Sequence, residues 1–381
     1  MPDTPFFEVN EAIRLMGGED LNLCMQCGLC SAVCPWRNVE SEFLIRKFIR
    51  YGQMGLEGNE SEEILFGCTT CGRCVKNCPR GVEIIDIVRG MRSMSAEVGA
   101  MPDTIRAVAG SCESNGNPWG EAREKRMDWA KGLDVPTYTT ETEYLLSVCC
   151  TSCYDSRSRN IARSLVELLN KAGVSYGVIG NDENCCGESL RKTGNEEGFG
   201  KLAEANVSLF GAKGVTTMIV TSPHCYHTYT TEYAELGGAY EVIHHSQLLA
   251  QLVADGKLKV NGKNTAKVAY HDPCYLGRHS RIFDEPRAVL QAAGVDMVEL
   301  PREKDFALCC GGGGGRVWME TEREKRFSVL RVNEAAEAGA EVLATACPYC
   351  ISLLDDSRKT EGFEETLDVK DISEVLLAAI D

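Results

Sequence analysis

The sequence predicts an α/β protein in which a helical N-terminal domain precedes two pseudo-symmetric, doubly wound halves with parallel sheets. Three observations support this class. From Tyr144 onward, short apolar runs alternate with amphipathic runs, as in parallel strands covered by helices on both faces. The pair Cys185-Cys186 before a glycine recurs 124 positions later as Cys309-Cys310, again before a glycine. The first hundred residues instead carry two compact cysteine runs.

The composition excludes several classes of protein. Twenty cysteines without a leader-like N-terminal segment favour metal binding in a reducing, cytoplasmic compartment over disulfides. The net charge of −16 argues against nucleic acid and anionic membrane surfaces as partners, and it either serves solubility or permits docking to a basic patch. No apolar stretch is long enough to span a bilayer, so any membrane association would pass through a partner.

The N-terminal cysteines repeat one pattern twice. Each run spaces three thiols by two residues and places a fourth, three residues later, before a proline; the runs comprise Cys24, Cys27, Cys30 and Cys34, then Cys68, Cys71, Cys74 and Cys78. In bacterial ferredoxins with this spacing, the fourth cysteine ligates the other cluster. We therefore expect two [4Fe–4S] cubanes, held by Cys24, Cys27, Cys30 and Cys78, and by Cys68, Cys71, Cys74 and Cys34. Structural zinc sites use two short pairs separated by a longer loop, so zinc is disfavoured.

Helices are expected around these runs. Between them, residues 40–51 place Leu44, Ile45, Phe48 and Tyr51 on one helical face that stops at Gly52 and Gly55. A second helix is expected from Glu83 to about Met94. The domain over residues 1–100 is therefore predicted to be a helical ferredoxin.

A polar connector with one helix is predicted over residues 101–143, and its lone thiol, Cys112, is not expected to be a ligand. The halves are then placed at residues 144–262 and 263–381. Strands are expected near residues 144–148, 174–179, 216–220, 240–243, 267–270, 295–300, 341–344 and 367–369. Helices are expected near residues 156–171, 196–211, 245–254, 285–293, 319–338 and 371–380.

The cysteines of both halves fall where a parallel sheet places ligands. Four of them follow directly after predicted strands: Cys150, Cys225, Cys274 and Cys347. Ligands of open α/β sheets bind in the crevice outside the carboxyl ends of the strands. Cysteines that only pack a core would be scattered through strands and helices. We therefore expect one cluster site in each half.

The second-half spacing, Cys274-x34-Cys309-Cys310-x36-Cys347-Pro-Tyr-Cys350, resembles the CCG cluster-binding domain of heterodisulfide reductases. The resemblance covers the whole chain, because a helical ferredoxin followed by two CCG domains is the arrangement of the fused form of heterodisulfide reductase. The chain is also similar to Fe–S subunits of glycolate and lactate oxidases and of anaerobic membrane redox complexes. The resemblance implies a non-cubane [4Fe–4S] cluster on these five cysteines, which would also be the catalytic residues.

The first half departs from this pattern at one position. At a constant offset, four of its cysteines have counterparts: Cys150, Cys185, Cys186 and Cys225. Ser222, however, stands where Cys347 would be matched. Cys153 could substitute as a cofactor ligand; otherwise four thiols remain, the number an ordinary cubane needs, and we favour a cubane or an altered cluster here. Cys149 is expected to point into the sheet, because neighbours in a strand alternate faces.

Histidine, arginine and glycine residues surround these cysteines. His271 could donate a proton as a catalytic residue, or it could hydrogen-bond sulfur or backbone groups and tune the potential. The second role is expected for His279, and His224 and His227 are interpreted with the same caution. The run Gly311–Gly315 lacks the context of a nucleotide-binding loop and is expected to allow close approach of backbone amides.

Three functions remain open. In the first, electrons pass from the ferredoxin clusters to the second CCG cluster, which reduces a disulfide. In the second, the chain is a non-catalytic electron-transfer subunit of a larger complex with a flavoprotein, a cytochrome or a quinone-linked membrane subunit. In the third, it is the Fe–S subunit of a 2-hydroxy-acid oxidase whose flavin lies in a partner chain. The lost cysteine at Ser222 slightly favours the second.

Overall fold

The computed structural model describes residues 5–39, 43–56, 65–260 and 266–380. The N-terminal part is helical, with helices at Phe7–Leu15, Leu29–Val33, Ile45–Met54, Arg73–Lys76 and Ile84–Glu97. Their apolar faces form one core that contains Ile13, Phe48 and Ile87. The helical N-terminal domain is thereby confirmed.

The helix between the cysteine runs differs from its prediction. It begins at Ile45, and residues 40–42 of the predicted helix lie outside the described residues. Its buried face includes Ile45 and Phe48, whereas Leu44 is exposed. Gly52 lies inside the helix, which ends at Gly55, where a φ of 60° provides the left-handed cap that glycine adopts without strain.

The connector contains the expected helix, Asp103–Asn115, followed by a 3₁₀ segment, Arg123–Ala130. Both pack against the first half, and Cys112 and Trp129 are each only 1% exposed within its core. The connector is therefore part of the first half's wall.

Two four-stranded parallel sheets follow, in the orders β2-β1-β3-β4 and β6-β5-β7-β8. The strands are β1 Tyr144–Ser147, β2 Tyr176–Gly177, β3 Thr217–Val220, β4 Glu241–His244, β5 Lys267–Tyr270, β6 Asp296–Val298, β7 Val342–Thr345 and β8 Asp368–Asp371. The identical order, all parallel, confirms two pseudo-symmetric doubly wound halves. Several strands are shorter than predicted, and β2 has only two residues.

The helices of the halves include several that the sequence did not predict. Their bounds are Cys150–Tyr154, Arg159–Ala172, Glu188–Lys192, Glu196–Ala212, Pro223–His227, His245–Ala254, Asp284–Ala292, Phe327–Glu337, Pro348–Thr360 and Ile372–Leu377. The unpredicted ones begin at or beside one of the motif cysteines. Pro348 is well suited to the first turn of its helix, because its missing N–H would have no partner there anyway.

The helix predicted near residues 319–338 begins only at Phe327. The preceding chain forms short 3₁₀ turns, Arg316–Trp318 and Arg323–Lys325, and arginine side chains bind its carbonyl groups. Arg316 Nη2 donates to Glu320 O at 3.0 Å, and Arg326 Nε donates to Thr321 O at 2.9 Å.

The halves pack directly on each other. His245–Ala254 packs against Asp284–Ala292, and Ile372–Leu377 packs against Arg159–Ala172. The final helix of each half begins with a capping box, at His244 and at Asp371. Within the described ranges, no helix combines the length and apolar character needed to cross a bilayer.

Candidate iron–sulfur centres

The first group of thiols lines one small cavity in the N-terminal domain: Cys24, Cys27, Cys30 and Cys78. Cys78 reaches this group from the second run. The backbone N–H of Val82 donates to Cys78 Sγ at 3.4 Å, and the Gln26 side chain donates to Cys24 Sγ at 3.5 Å. The structure therefore brings together the four residues expected to hold one cubane.

The second group combines Cys34 with the thiols of the second run. Burial raises the pKa of Cys34, and the nearby Cys71 and Cys68 raise it further. Burial likewise raises the pKa of Cys74, with additional contributions from Cys68, Cys71 and Cys34. The Thr70 backbone N–H donates to Cys68 Sγ at 3.4 Å. Cys34 thus lies with the other run, as in ferredoxins in which the fourth cysteine crosses over.

The third group contains the five cysteines of the second half, all at most 6% exposed: Cys274, Cys309, Cys310, Cys347 and Cys350. The sulfurs of Cys274 and Cys309 are 4.0 Å apart, and those of Cys310 and Cys350 are 3.3 Å apart. Cys347 contacts Cys350. The Gly311 N–H donates to Cys309 Sγ at 3.3 Å, from a backbone with a φ of 99° that favours glycine.

Hydrogen bonds divide the thiols of this group. The hydrogen bond with Cys309 and burial raise the pKa of Cys274, and burial and the hydrogen bond with Cys310 raise the pKa of Cys350, whereas the acceptors of such bonds are held toward the thiolate. Burial alone would raise the pKa of Cys347, but hydrogen bonds from Cys350 and His224 lower it to about 5. Contacts with Cys309 and Cys350 hold the pKa of Cys310 well below its ordinary value. Thiolates are the form that ligates metal, so the donor set fits an iron–sulfur cluster.

His271 lies beside this group and is fully buried. One of its ring nitrogens is within 4.8 Å of the Cys310 and Cys350 sulfurs. Arg331 Nε donates to His271 Nδ1 at 3.1 Å, whereas Nε2 is buried without a partner among the described residues. Burial, and then Arg331, lower the pKa of His271 to about 3. The imidazole is therefore neutral at pH 7, which favours a hydrogen-bond donor to sulfur over a proton source.

The fourth group lies in the first half. Cys150 contacts Cys185, and Cys186 contacts Cys225. The Gly187 N–H donates to Cys185 Sγ at 3.4 Å, so each of the four groups includes one sulfur that accepts a backbone N–H. These bonds favour the charged form of sulfur and suit a cluster-bound thiolate.

A buried ion pair supports the fourth group, and the sequence analysis missed it. Arg126 Nη1 donates to Cys150 Sγ at 3.4 Å, and Arg126 Nη2 lies 3.0 Å from Glu183 Oε1. Ser147 Oγ donates to the same carboxylate oxygen at 2.6 Å. Because Arg126 lies in the polar connector, no cysteine spacing indicated its role.

The expectation for Cys149 is wrong, and two other thiols lie near the fourth group. Cys149 does not point into the sheet: β1 ends at Ser147, so the alternation of strand faces no longer applies, and Cys149 contacts Cys225. Cys112, which is not expected to be a ligand, contacts Cys185. Cys153, the expected substitute ligand, donates its S–H to Val148 O at 3.5 Å.

The second and third groups touch each other. Cys71 contacts Cys309, and Arg278 Nε donates to Cys71 O at 2.7 Å. His279 Nε2 is 2.9 Å from Thr70 O, so its contact with the backbone agrees with the expected structural role.

The glycine run explains this close approach. A Cβ at Gly313 would lie 2.3 Å from Thr69 O, and one at Gly314 would lie 2.3 Å from Cys68 O. The glycine run therefore lies closely against carbonyl groups of the ferredoxin loop.

A histidine bridges the halves. His224 Nδ1 is 2.9 Å from Glu188 Oε1, and the ring contacts Cys347 of the other half. Its ring stacks on Tyr275 with centroids 4.0 Å apart. His227 lies near the same stack, 5.3 Å from the Tyr275 ring.

This fold and these four groups define an iron–sulfur protein of the electron-transfer type, and comparisons with known proteins agree. The CCG cysteine-rich domain matches residues 146–229 and 268–355, and the 4Fe-4S dicluster domain matches residues 20–82. A subunit of dihydromethanophenazine:CoB–CoM heterodisulfide reductase from Methanosarcina barkeri is 30% identical, over 97% of this chain and 95% of its own. The chain therefore belongs to the CCG-domain iron–sulfur oxidoreductase family that includes this heterodisulfide reductase chain.

Other relatives are longer proteins. EtfAB:quinone oxidoreductase from Syntrophomonas wolfei is 39% identical over 84% of this chain and 47% of its own length. The probable iron-sulfur-binding oxidoreductase FadF from Bacillus subtilis is 37% identical with the same coverage. The chain thus spans about half the length of these two relatives.

Proposed function

We propose that the protein transfers electrons from its ferredoxin clusters to the cluster of its second CCG domain, where a disulfide is reduced. The contact between Cys71 and Cys309 is the observation that carries the proposal. It brings a ligand of one predicted site against a ligand of the next. When bound, clusters on these thiols would accept and donate single electrons.

The ligand sets follow the sequence predictions. We assign two cubanes to the N-terminal groups, a non-cubane [4Fe–4S] cluster to the second half and one further cluster to the first half. The order of the thiol groups in space then gives the sequence of steps along which electrons would pass. The group of Cys24 lies toward solvent, since Cys27 is exposed, and the group of Cys71 lies between it and the buried second half.

A cavity of about 180 Å³ supports access of a substrate to the second half. Cys310 and Gly311 form part of its wall. Its charged lining residues are Arg316, Lys325, Arg326, Glu320 and Asp356. The excess of basic over acidic groups suits a disulfide that carries carboxylates, which would take up two electrons and two protons and leave as two thiols.

The alternative function is electron transfer without catalysis, in a larger complex with a flavoprotein, a cytochrome or a quinone-linked membrane subunit. This alternative is supported by the match to EtfAB:quinone oxidoreductase, a longer protein of which the chain covers 47%. The net charge of −16 would then guide docking to a basic surface of the partner. A flavin-bearing 2-hydroxy-acid oxidase partner belongs to the same class of proposal.

One anaerobic experiment separates these functions. The iron-loaded full chain is reduced with one-electron-reduced methyl viologen, separated from the free viologen and mixed with an anionic disulfide, dithiobis(nitrobenzoate), or with neutral dithiodipyridine. Turnover that prefers the anionic substrate and is lost in Cys310→Ala supports the reductase. Reduction of the second-half cluster without turnover supports the alternative. If the ferredoxin clusters become reduced while the second-half cluster stays oxidised, the proposed transfer is wrong.

A further inference from the structure

The first half lacks a cysteine at Ser222, yet the structure places another sulfur beside Cys225. We infer that Cys149 is the fifth ligand of the first-half cluster and replaces the thiol missing at Ser222. This rests on the proposed function only in that the first half holds a cluster. The assignment differs from both sequence alternatives, Cys153 and a four-thiol cubane.

Strand register supplies the first argument. In the first half, Ser147 of β1 pairs with Val220 of β3, so two residues further on Cys149 is level with Ser222. In the second half, Tyr270 of β5 pairs with Ala344 of β7, which brings the third residue after each, Pro273 and Cys347, level.

At this level, the two halves therefore carry the cysteine on different strands. In the second half, a proline follows β5 and Cys347 follows the neighbouring β7. In the first half, Cys149 follows β1 and Ser222 follows the neighbouring β3. Neighbouring strands lie about 4.8 Å apart, so a side chain on either one can reach a common point between them. The Cys149 N–H donates to Thr221 Oγ1 at 2.9 Å and fixes the loop at this level.

Side-chain contacts supply the second argument. Cys149 contacts Cys225, the residue equivalent to Cys350, and Cys347 contacts Cys350 in the other half. Cys149 and Cys225 are 8% and 7% exposed, so the contact is buried.

The alternatives are occupied elsewhere. The Ser222 hydroxyl accepts the His224 N–H at 3.2 Å as the cap of helix Pro223–His227. Cys153 is one helical turn beyond Cys149 and donates to Val148 O at 3.5 Å. Ser222 and Cys153 are thus engaged with backbone groups, whereas Cys149 contacts the Cys225 thiol.

The test compares Cys149→Ser with the matched control Cys153→Ser in the iron-loaded full chain, using iron content and electron paramagnetic resonance. Cys149→Ser should lose one to four irons per chain and the first-half signal, because serine is a poor ligand at neutral pH. Cys153→Ser should retain both. Loss in Cys153→Ser with retention in Cys149→Ser overturns the assignment.

A rescue variant guards against misfolding. Ser222→Cys in the Cys149→Ser background should restore the iron, because it moves the sulfur back across the strand pair. If iron stays low although circular dichroism shows a native fold, the assignment is wrong. The absence of a first-half cluster is distinguished from a wrong fifth ligand by Cys150→Ser. If this variant also leaves the iron content unchanged, the first half holds no cluster, and this result is independent of disulfide reduction at the second half.

Discussion

Arg92 is the residue whose loss should most directly uncouple the ferredoxin domain from the second half. It is fully buried and donates to four backbone carbonyl groups. The acceptors are Leu65 O at 3.0 Å, Cys68 O at 2.8 Å, Lys192 O at 2.7 Å and Gly314 O at 2.9 Å. Burial lowers the pKa of Arg92 to about 10, so the guanidinium remains charged at pH 7.

Replacing Arg92 with methionine keeps much of the volume but leaves these carbonyl groups without their donor. Each buried polar group that loses its partner costs about 1–3 kcal/mol, and some of the four will bind water. We therefore expect the free energy of unfolding to fall by about 3–5 kcal/mol, in the range measured when a buried charged network is broken. Arg50→Met, at an exposed helical position, should cost less than about 0.5 kcal/mol.

The assay is chemical denaturation of the iron-loaded protein, followed in parallel by rapid reduction of the second-half cluster. Arg92→Met should slow reduction of that cluster while the ferredoxin clusters are still reduced normally, because the Cys71–Cys309 contact depends on the same interface. The same loss of stability in Arg50→Met, or an unaltered rate and stability in Arg92→Met, would refute this reasoning.

Four further predictions concern the same centres and their surroundings. Gly313→Ala should destabilise the domain contact by more than about 1 kcal/mol in a thermal melt, because its Cβ would lie 2.3 Å from Thr69 O. The control Gly200→Ala, whose Cβ would meet no atom of the described chain within contact distance, should be neutral or stabilising in the same melt. Elemental analysis should find about sixteen irons per fully loaded chain, and zinc in stoichiometric amount would contradict this iron content. Cys71→Ser should bleach the signal of one ferredoxin cubane and leave the second-half cluster intact. His271→Phe, which removes the ring N–H, should lower the midpoint potential of that cluster by about 40 mV in a redox titration, equivalent to one hydrogen bond of about 1 kcal/mol; an unchanged potential would show that His271 does not bond sulfur.

Short-range patterns could be predicted because their physical cause is local. The spacing around Cys24 and Cys68 follows from how three thiols wrap one corner of a cluster, so it could be recognised without a structure. The sheets were predictable because strand and helix periodicities differ. The repeat was indicated because Cys150 and Cys185 each recur 124 residues later, as Cys274 and Cys309. Element boundaries were less accurate, as with the helix that begins at Phe327, since side chains from other turns decide where backbone groups find partners.

The contacts between distant segments depend on tertiary structure alone. Arg92, Arg126 and His224 have no spacing that marks them, yet each bridges segments far apart in the chain. Cys149 illustrates the difference: the alternation rule assigned it to the sheet interior, but the strand ended two residues earlier. Which thiol fills a ligand position is decided by the register of neighbouring strands. The sequence by itself therefore determined which kind of cofactor chemistry the chain supports, and the packing of its strands decided which sulfurs and donors meet.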